Sequence, residues 1–105
     1  MSVLDELQDE TRLFAEQRNW FQFHNPKNLA MAIAGEAGEL VSEFQWLTPS
    51  EAGPSALTAI QRTAIEGEMA DVFIYLVRLS DVLGVDLGVI ARQKLARNEV
   101  RFPRQ

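Results

Sequence analysis

The strongest constraint on this chain is the spacing of acidic residues in two segments that also carry apolar residues at helical intervals. Glu36 and Glu39 are three residues apart in the first segment, and Glu68 and Asp71 repeat that spacing in the second. Residues i and i+3 of an α-helix lie on one face, so each pair presents two carboxylates to the same side. Because burying an unpaired charge is costly, acids turned toward a neighbouring helix must be neutralised there.

Oxygen donors from two facing helices, with no cysteine and no clustered histidine, suit Mg²⁺. The alternative is that these four acids are solvated or salt-bridged surface residues, as most acids on helices are. Against it, Glu36 follows the apolar stretch 31–35, and Asp71 lies between apolar neighbours. The pattern alone leaves both interpretations equally open. A histidine three residues after a glutamate on each helix would have indicated a di-iron site, and neither segment has one.

Composition narrows the class of protein. The 105 residues are predicted to form a single domain, 1–105, with enough apolar residues for a core. Ten basic and fifteen acidic residues give a formal charge of −5, which argues against a nucleic-acid polymer as partner. A phosphorylated small molecule remains compatible if metal ions bridge the acids to its phosphates. Without a membrane-spanning apolar run or a signal-peptide pattern, we expect a soluble, cytoplasmic protein with no membrane partner.

Apolar periodicity and capping residues predict four helices and no strands, over residues 3 to about 19, 27 to 47, 56 to 82 and 87 to 99. Ser2, Asn25-Pro26 and Asp86 are the predicted starts, and Gly84 is the predicted end of the third helix. Four helices with short connections predict an all-α, four-helix bundle-like fold. The second half of the third helix is apolar on nearly every side, which predicts a homo-oligomer.

Other candidate residues follow from position. Trp46 and Tyr75 each lie seven residues, about two helical turns, after a clustered acid, so an aromatic ring could stack on a base while metal holds phosphates. Core packing is the simpler explanation for either aromatic alone. Lys94 and Asn98, at i and i+4, could contact phosphate or sugar, although such a pair is more often solvated surface. His24 alone is more often a structural residue than a catalyst.

Taken together, five motifs resemble one family. They are Trp20-x-x-Phe23-His24-x-Pro26-x-Asn28-Leu29, Gly35-Glu36-x-Gly38-Glu39-Leu40, Phe44-Gln45-Trp46, Glu68-x-x-Asp71-Val72-x-Ile74-Tyr75-Leu76 and Lys94-x-x-x-Asn98-x-x-Arg101-Phe102-Pro103. In this order the sequence resembles the MazG-like, all-α nucleoside triphosphate pyrophosphohydrolases, and within them the dCTP pyrophosphatase branch. The resemblance covers roughly residues 10 to 103.

The resemblance implies a Mg²⁺ site and a nucleoside triphosphate pocket. Its implied metal ligands are Glu36, Glu39, Glu68 and Asp71. Its implied substrate-binding residues are Trp20, His24, Asn28, Trp46, Tyr75, Lys94, Asn98 and Arg101. Family members assemble as dimers or dimer-of-dimers tetramers with pockets between subunits, so the same is expected here.

Two departures from the family bear on the substrate. The broader family motif begins with two adjacent acids, whereas Gly35 stands at the first position here, as it does in the dCTP branch. That branch carries a histidine nine residues before the first tryptophan, and this chain has Thr11. The identity of the preferred base is therefore open.

The resulting hypothesis is an enzyme that hydrolyses dCTP, or a modified dCTP, to the monophosphate and pyrophosphate, thereby cleansing the nucleotide pool. Glu36 or Glu39 is expected to orient or deprotonate the attacking water. A relative acting on dUTP or other non-canonical nucleotides is one alternative. A non-catalytic nucleotide-binding or oligomerisation module is the other.

Overall fold

The computed structural model describes residues 2–105, and the regular structure in that part of the chain is helical throughout. Four α-helices follow in order, with a 3-10 turn after the first: α1 (Val3–Gln17), the turn Phe21–Phe23, α2 (Pro26–Phe44), α3 (Ala59–Leu83) and α4 (Leu87–Arg101). The predicted all-α class is confirmed. Within residues 2–105, no helix combines the length and the apolar character that crossing a membrane requires.

The predicted capping residues hold the helix ends. Ser2, Asn25 and Asp86 each accept a hydrogen bond at the side chain from a backbone N–H of the first helical turn, which would otherwise lack a partner. Gly84 ends α3 in the left-handed region at φ 69°, where a residue without a Cβ avoids strain.

Four predicted boundaries are corrected, the simplest being the end of the fourth helix, which lies at Arg101 rather than near 99. The third helix begins at Ala59 rather than near 56, because Thr58 caps it: the Thr58 and Gln61 side chains each accept a hydrogen bond from the other residue's backbone N–H. The first helix ends at Gln17, since the chain reverses through Asn19 at φ 58°. The second ends at Phe44, three residues early, and passes into turns.

The longest helix, α3, is the centre of the packing. It lies along α2 over much of its length and contacts α1 over a shorter stretch. The buried apolar residues are Ala15 on α1, Leu29 on α2, and Ile65 and Val77 on α3. Because α2 and α3 pack side by side, the acids predicted on these two helices can meet.

The fourth helix departs from a four-helix bundle formed within one chain. α4 has no buried residue and makes only slight contacts with the other helices. Val100 is 83% exposed and Leu95 is 65% exposed. A single chain therefore packs three helices, and α4 extends beyond them.

The glycines of α2 have no close neighbour among residues 2–105. A Cβ added at Gly35 or Gly38 would meet no atom within 4 Å. If these glycines exist to permit a close approach, the approaching group must come from outside the chain.

Candidate active site

The acid cluster lies between α2 and α3. Glu36 and Glu39 of α2 and Glu68 of α3 each bring one carboxylate oxygen into a group whose members are all within 4.8 Å of one another. Oε2 of Glu36 and Oε2 of Glu68 are buried and have no hydrogen-bond partner. Buried polar atoms are ordinarily paired, so two carboxylate oxygens without a partner are suited to bind a positively charged group. An all-oxygen donor set with this geometry fits a hard divalent cation.

Burial and mutual repulsion raise the pKa of two carboxyl groups in the cluster. Burial, followed by the effects of neighbouring Glu39 and Glu36, raises the pKa of Glu68 from 4.5 to about 7. Burial also raises the pKa of Glu36, with Glu39 as the next cause. Both residues are half-buried as a whole, and one carboxyl oxygen of each is fully buried. A cation between these groups would stabilise their ionised forms.

The fourth predicted ligand, Asp71, lies at the border of the cluster. Its charge contributes to the raised pKa of Glu36, so it is close to the cluster, but its side chain is outside the group of three and is exposed. Asp71 also lines the adjoining cavity. It therefore connects the acid cluster to that cavity.

The adjoining cavity has a volume of about 450 Å³ and lies between α1, the segment after α1, and α3. Its walls are mainly apolar and aromatic, with a few polar groups, as is typical of small-molecule sites. The lining residues are Leu7, Glu10, Thr11, Phe14, Ala15, Trp20, His24, Asp71, Ile74, Tyr75 and Arg78.

Aromatic side chains from two directions shape this cavity. The left-handed backbone of Asn19 turns the chain back over α1, and the backbone N–H of Trp20 donates to the Ala15 carbonyl at 3.0 Å. The Trp20 ring then lies edge-on to Phe14, with centroids 5.6 Å apart, and 6.0 Å from the His24 ring. Tyr75 contributes from α3. Of the predicted binding residues, these positions bring Trp20, His24 and Tyr75 to one cavity.

A buried arginine that we did not predict stands behind His24. Arg78 is only 4% exposed; its Nε donates to Nδ1 of His24 at 3.1 Å, and its Nη1 donates to Asp81 at 2.9 Å. Arg12 of α1 also donates to Asp81, and this bond is the main reason that the pKa of Asp81 lies below its usual value. A sequence signal existed, because Arg78 interrupts an apolar run seven residues after Asp71, on the same helical face.

The remaining predicted binding residues lie elsewhere in this chain. The Asn28 side chain donates to the Phe23 carbonyl at 3.1 Å, which ties the 3-10 turn to α2. Trp46 is 86% exposed beyond the end of α2. Three more lie on α4 and do not line the cavity: Lys94, Asn98 and Arg101.

Fold and site together define an α-helical protein with a carboxylate cluster beside an aromatic cavity. Solved and curated proteins are similar to this chain in fold or in sequence. A crystal structure of a pyrophosphatase from Archaeoglobus fulgidus superposes with a TM-score of 0.89 at 36% identity, covering 99% of this chain and 95% of that one. dCTP pyrophosphatase 1 from Homo sapiens and from Mus musculus are each 44% identical over 100 residues, 92% of this chain.

The chain belongs to the family of these pyrophosphatases, the MazG-like all-α pyrophosphohydrolases that its motifs resemble. No model of a known protein family matches the sequence. The chain spans about three-fifths of the length of the curated relatives, 59% of the human protein.

Proposed function

We propose that this chain hydrolyses a deoxynucleoside triphosphate, dCTP or a modified dCTP, to the monophosphate and pyrophosphate with the help of Mg²⁺. The observation that carries the proposal is the acid cluster, with its two orphaned buried oxygens, beside an aromatic cavity. The curated relatives at 44% identity are named for dCTP pyrophosphatase activity, which supports this substrate.

In this proposal Glu36, Glu39 and Glu68 hold the cation, and Asp71 stands next to them on the cavity side. A bound divalent cation neutralises phosphate charge and polarises the phosphorus that is attacked. Positioning and charge stabilisation supply most of the catalysis in phosphoryl transfer. The aromatic wall around Trp20 and Tyr75 receives the base and sugar.

Within the cluster, we assign to Glu39 the role of orienting the attacking water and accepting its proton. Its side chain is the exposed one of the three, whereas Glu36 and Glu68 each have a buried oxygen. Its carboxylate orients the water and accepts a proton as the water oxygen bonds to the α-phosphorus. The bond from that phosphorus to the bridging oxygen breaks, and pyrophosphate leaves.

The residues that lie outside the cavity are assigned to an oligomer. Trp46 and the α4 residues Lys94, Asn98 and Arg101 do not line the cavity of one chain. We assign them to a site completed by a second copy, with Trp46 at the base and Lys94 and Arg101 at the phosphates. The weakly packed α4 and the unused space at Gly35 and Gly38 support a partner subunit.

The test is a panel of canonical and 5-modified nucleotides, incubated with the protein and Mg²⁺ while pyrophosphate release is followed. Glu39→Gln removes one negative charge from the cluster and should lower the rate roughly 100-fold or more. Glu66→Gln, on an exposed residue of α3, makes the same chemical change away from the cluster and should keep wild-type activity.

Two results would contradict the proposal. Wild-type activity in Glu39→Gln would refute the assigned role of that residue. No pyrophosphate release from any nucleotide by folded protein would favour a non-catalytic binding module. The same panel separates dCTP from dUTP, which matters because Thr11 lines the cavity where the dCTP branch carries histidine.

A further inference from the structure

A line of paired side chains runs from α1 to His24 behind the cavity wall. Arg12 donates to Asp81 from Nε at 2.9 Å and from Nη2, and Asp81 also accepts a bond from Nη1 of Arg78 at 2.9 Å. Nε of Arg78 then donates to Nδ1 of His24 at 3.1 Å. The line joins α1, α3 and the segment after α1, which are the three walls of the cavity.

The last bond fixes the tautomer of His24. A guanidinium has only N–H donors, so Nδ1 of His24 must accept through its lone pair, and the proton of the neutral ring must sit on Nε2. An imidazolium would place a second N–H against Arg78. Burial and the positive charge of Arg78 both lower the pKa of His24. The carboxylates that line the same cavity are Glu10 and Asp71.

The Arg78 side chain is buried and held by groups on neighbouring elements. Its guanidinium is enclosed, with the Phe21 ring 5.4 Å from Cζ and Asp81 held in turn by Arg12. Burying a guanidinium is costly unless its N–H groups are hydrogen-bonded. One N–H group of Arg78 donates to Nδ1 of His24. Within residues 2–105 no protein group accepts a hydrogen bond from Nε2 of His24, a residue that lines the cavity. That N–H is therefore available to a ligand.

We propose that Arg78 is a positioning residue: it holds His24 as the neutral tautomer whose Nε2–H donates to an acceptor atom on the base or sugar of the bound nucleotide. The ligand part of this inference rests on the proposed function. The tautomer part does not.

Histidine occurs once in the sequence, which makes the tautomer directly measurable. In ¹⁵N-labelled protein without nucleotide, long-range ¹H–¹⁵N correlations from the single imidazole should show an unprotonated Nδ1 and a protonated Nε2 near neutral pH. A protonated Nδ1, or two nitrogens averaged between the tautomers, would overturn the proposal. This measurement needs no variant, so it decides the question even if substitution of Arg78 prevents folding.

Arg78→Met removes the donor and keeps a long apolar side chain, while Asp81 retains Arg12. We expect the His24 nitrogens to move toward the averaged pattern and the KM for the nucleotide to rise about tenfold, with a smaller change in kcat, because one hydrogen bond loses its orientation. Arg78→Lys, which restores a donor, should recover part of the KM. Arg92→Met, on an exposed residue of α4, is the matched control and should change neither.

An unaltered tautomer or an unaltered KM in folded Arg78→Met would overturn the assigned role. If no protein in the series hydrolyses any nucleotide, the proposed function fails and the ligand part fails with it. The NMR spectra would still confirm or refute the tautomer.

Discussion

Three carboxyl groups crowded between α2 and α3 oppose folding when they are ionised without a cation. The pKa of Glu68 is raised from 4.5 to about 7, so between these pH values the folded protein binds a proton that the unfolded chain releases. Stability then falls as pH rises, because the native state binds more protons than the unfolded state in that window.

Glu68→Gln should therefore remove part of this pH dependence. In the presence of chelator, the variant should be more stable than the wild type at pH 8 and should lose that advantage as the pH approaches 4.5. Thermal unfolding followed by circular dichroism across this range measures the difference. Glu66→Gln should show no pH-dependent difference from wild type. If Glu68→Gln shows the same pH dependence of stability as the wild type, the pKa of Glu68 is not raised in the folded protein.

A divalent cation should reverse the same effect. Protons and the cation compete for the same oxygens, so Mg²⁺ should raise the melting temperature of the wild type more at pH 8 than at pH 5. Glu68→Gln should lose most of that rise, and Glu66→Gln should keep it. An equal rise in all three proteins would indicate non-specific screening by salt.

At the residue scale, the i, i+3 spacing predicts that Glu36 and Glu39 share one face of α2, because that geometry is local. Glu68 joins them through the packing of α3 against α2, whereas Asp71, predicted in the same group, lies at its border. The role of Arg78 could not be derived in this way, because it depends on the segment after α1 folding over α3 to bring His24 within 3.1 Å. The exposure of Trp46 depends likewise on where α2 ends.

At the scale of elements, the helix ends marked by a predicted capping residue were predictable, whereas four ends without one were predicted two or three residues away from their positions. Capping is settled by three or four consecutive residues, so Asn25 and Asp86 identify their helices from sequence alone. The start of α3 is set by the capping box between Thr58 and Gln61, a pair that the apolar periodicity used to predict this helix does not include. The loose packing of α4 is not a local property, and no pattern within that helix reveals it.

Two glycines of α3, one at its end and one in its interior, should respond oppositely to substitution by alanine. Gly84→Ala places a Cβ on a backbone at φ 69° and should destabilise the protein by about 1 kcal/mol, since the left-handed conformation strains an L-residue. Gly67→Ala lies inside the same helix, where an added Cβ meets nothing within 4 Å, and should stabilise it by about 0.5–1 kcal/mol. Urea unfolding of both variants measures the two signs. Stabilisation by Gly84→Ala would contradict the cap.

At the scale of the whole molecule, a single chain is more extended than a compact domain of this length and exposes a continuous apolar surface. Its radius of gyration is 16.5 Å, compared with about 13 Å for a compact chain of roughly 100 residues. An apolar cleft on α2 and α3 is open to solvent, and its lining residues are Leu40, Met69, Ala70, Val72, Phe73 and Leu76. Exposed apolar surface of this kind marks an interaction site. Five of these residues belong to α3, whose second half the sequence predicts to be apolar on nearly every side.

We therefore expect copies of this chain to associate through that cleft. Phe73, 40% exposed, lines its wall, so Phe73→Glu would bury a charge in the interface and should shift the protein toward monomer in light scattering after size-exclusion chromatography. Leu13→Glu changes an apolar residue of α1 that is 52% exposed and lies outside the cleft, so it should leave the assembly intact. An oligomer that survives Phe73→Glu but not Leu13→Glu would place the interface on α1. Because the proposed site includes α4 residues that do not reach the cavity of their own chain, a folded Phe73→Glu monomer should also lose most pyrophosphate release.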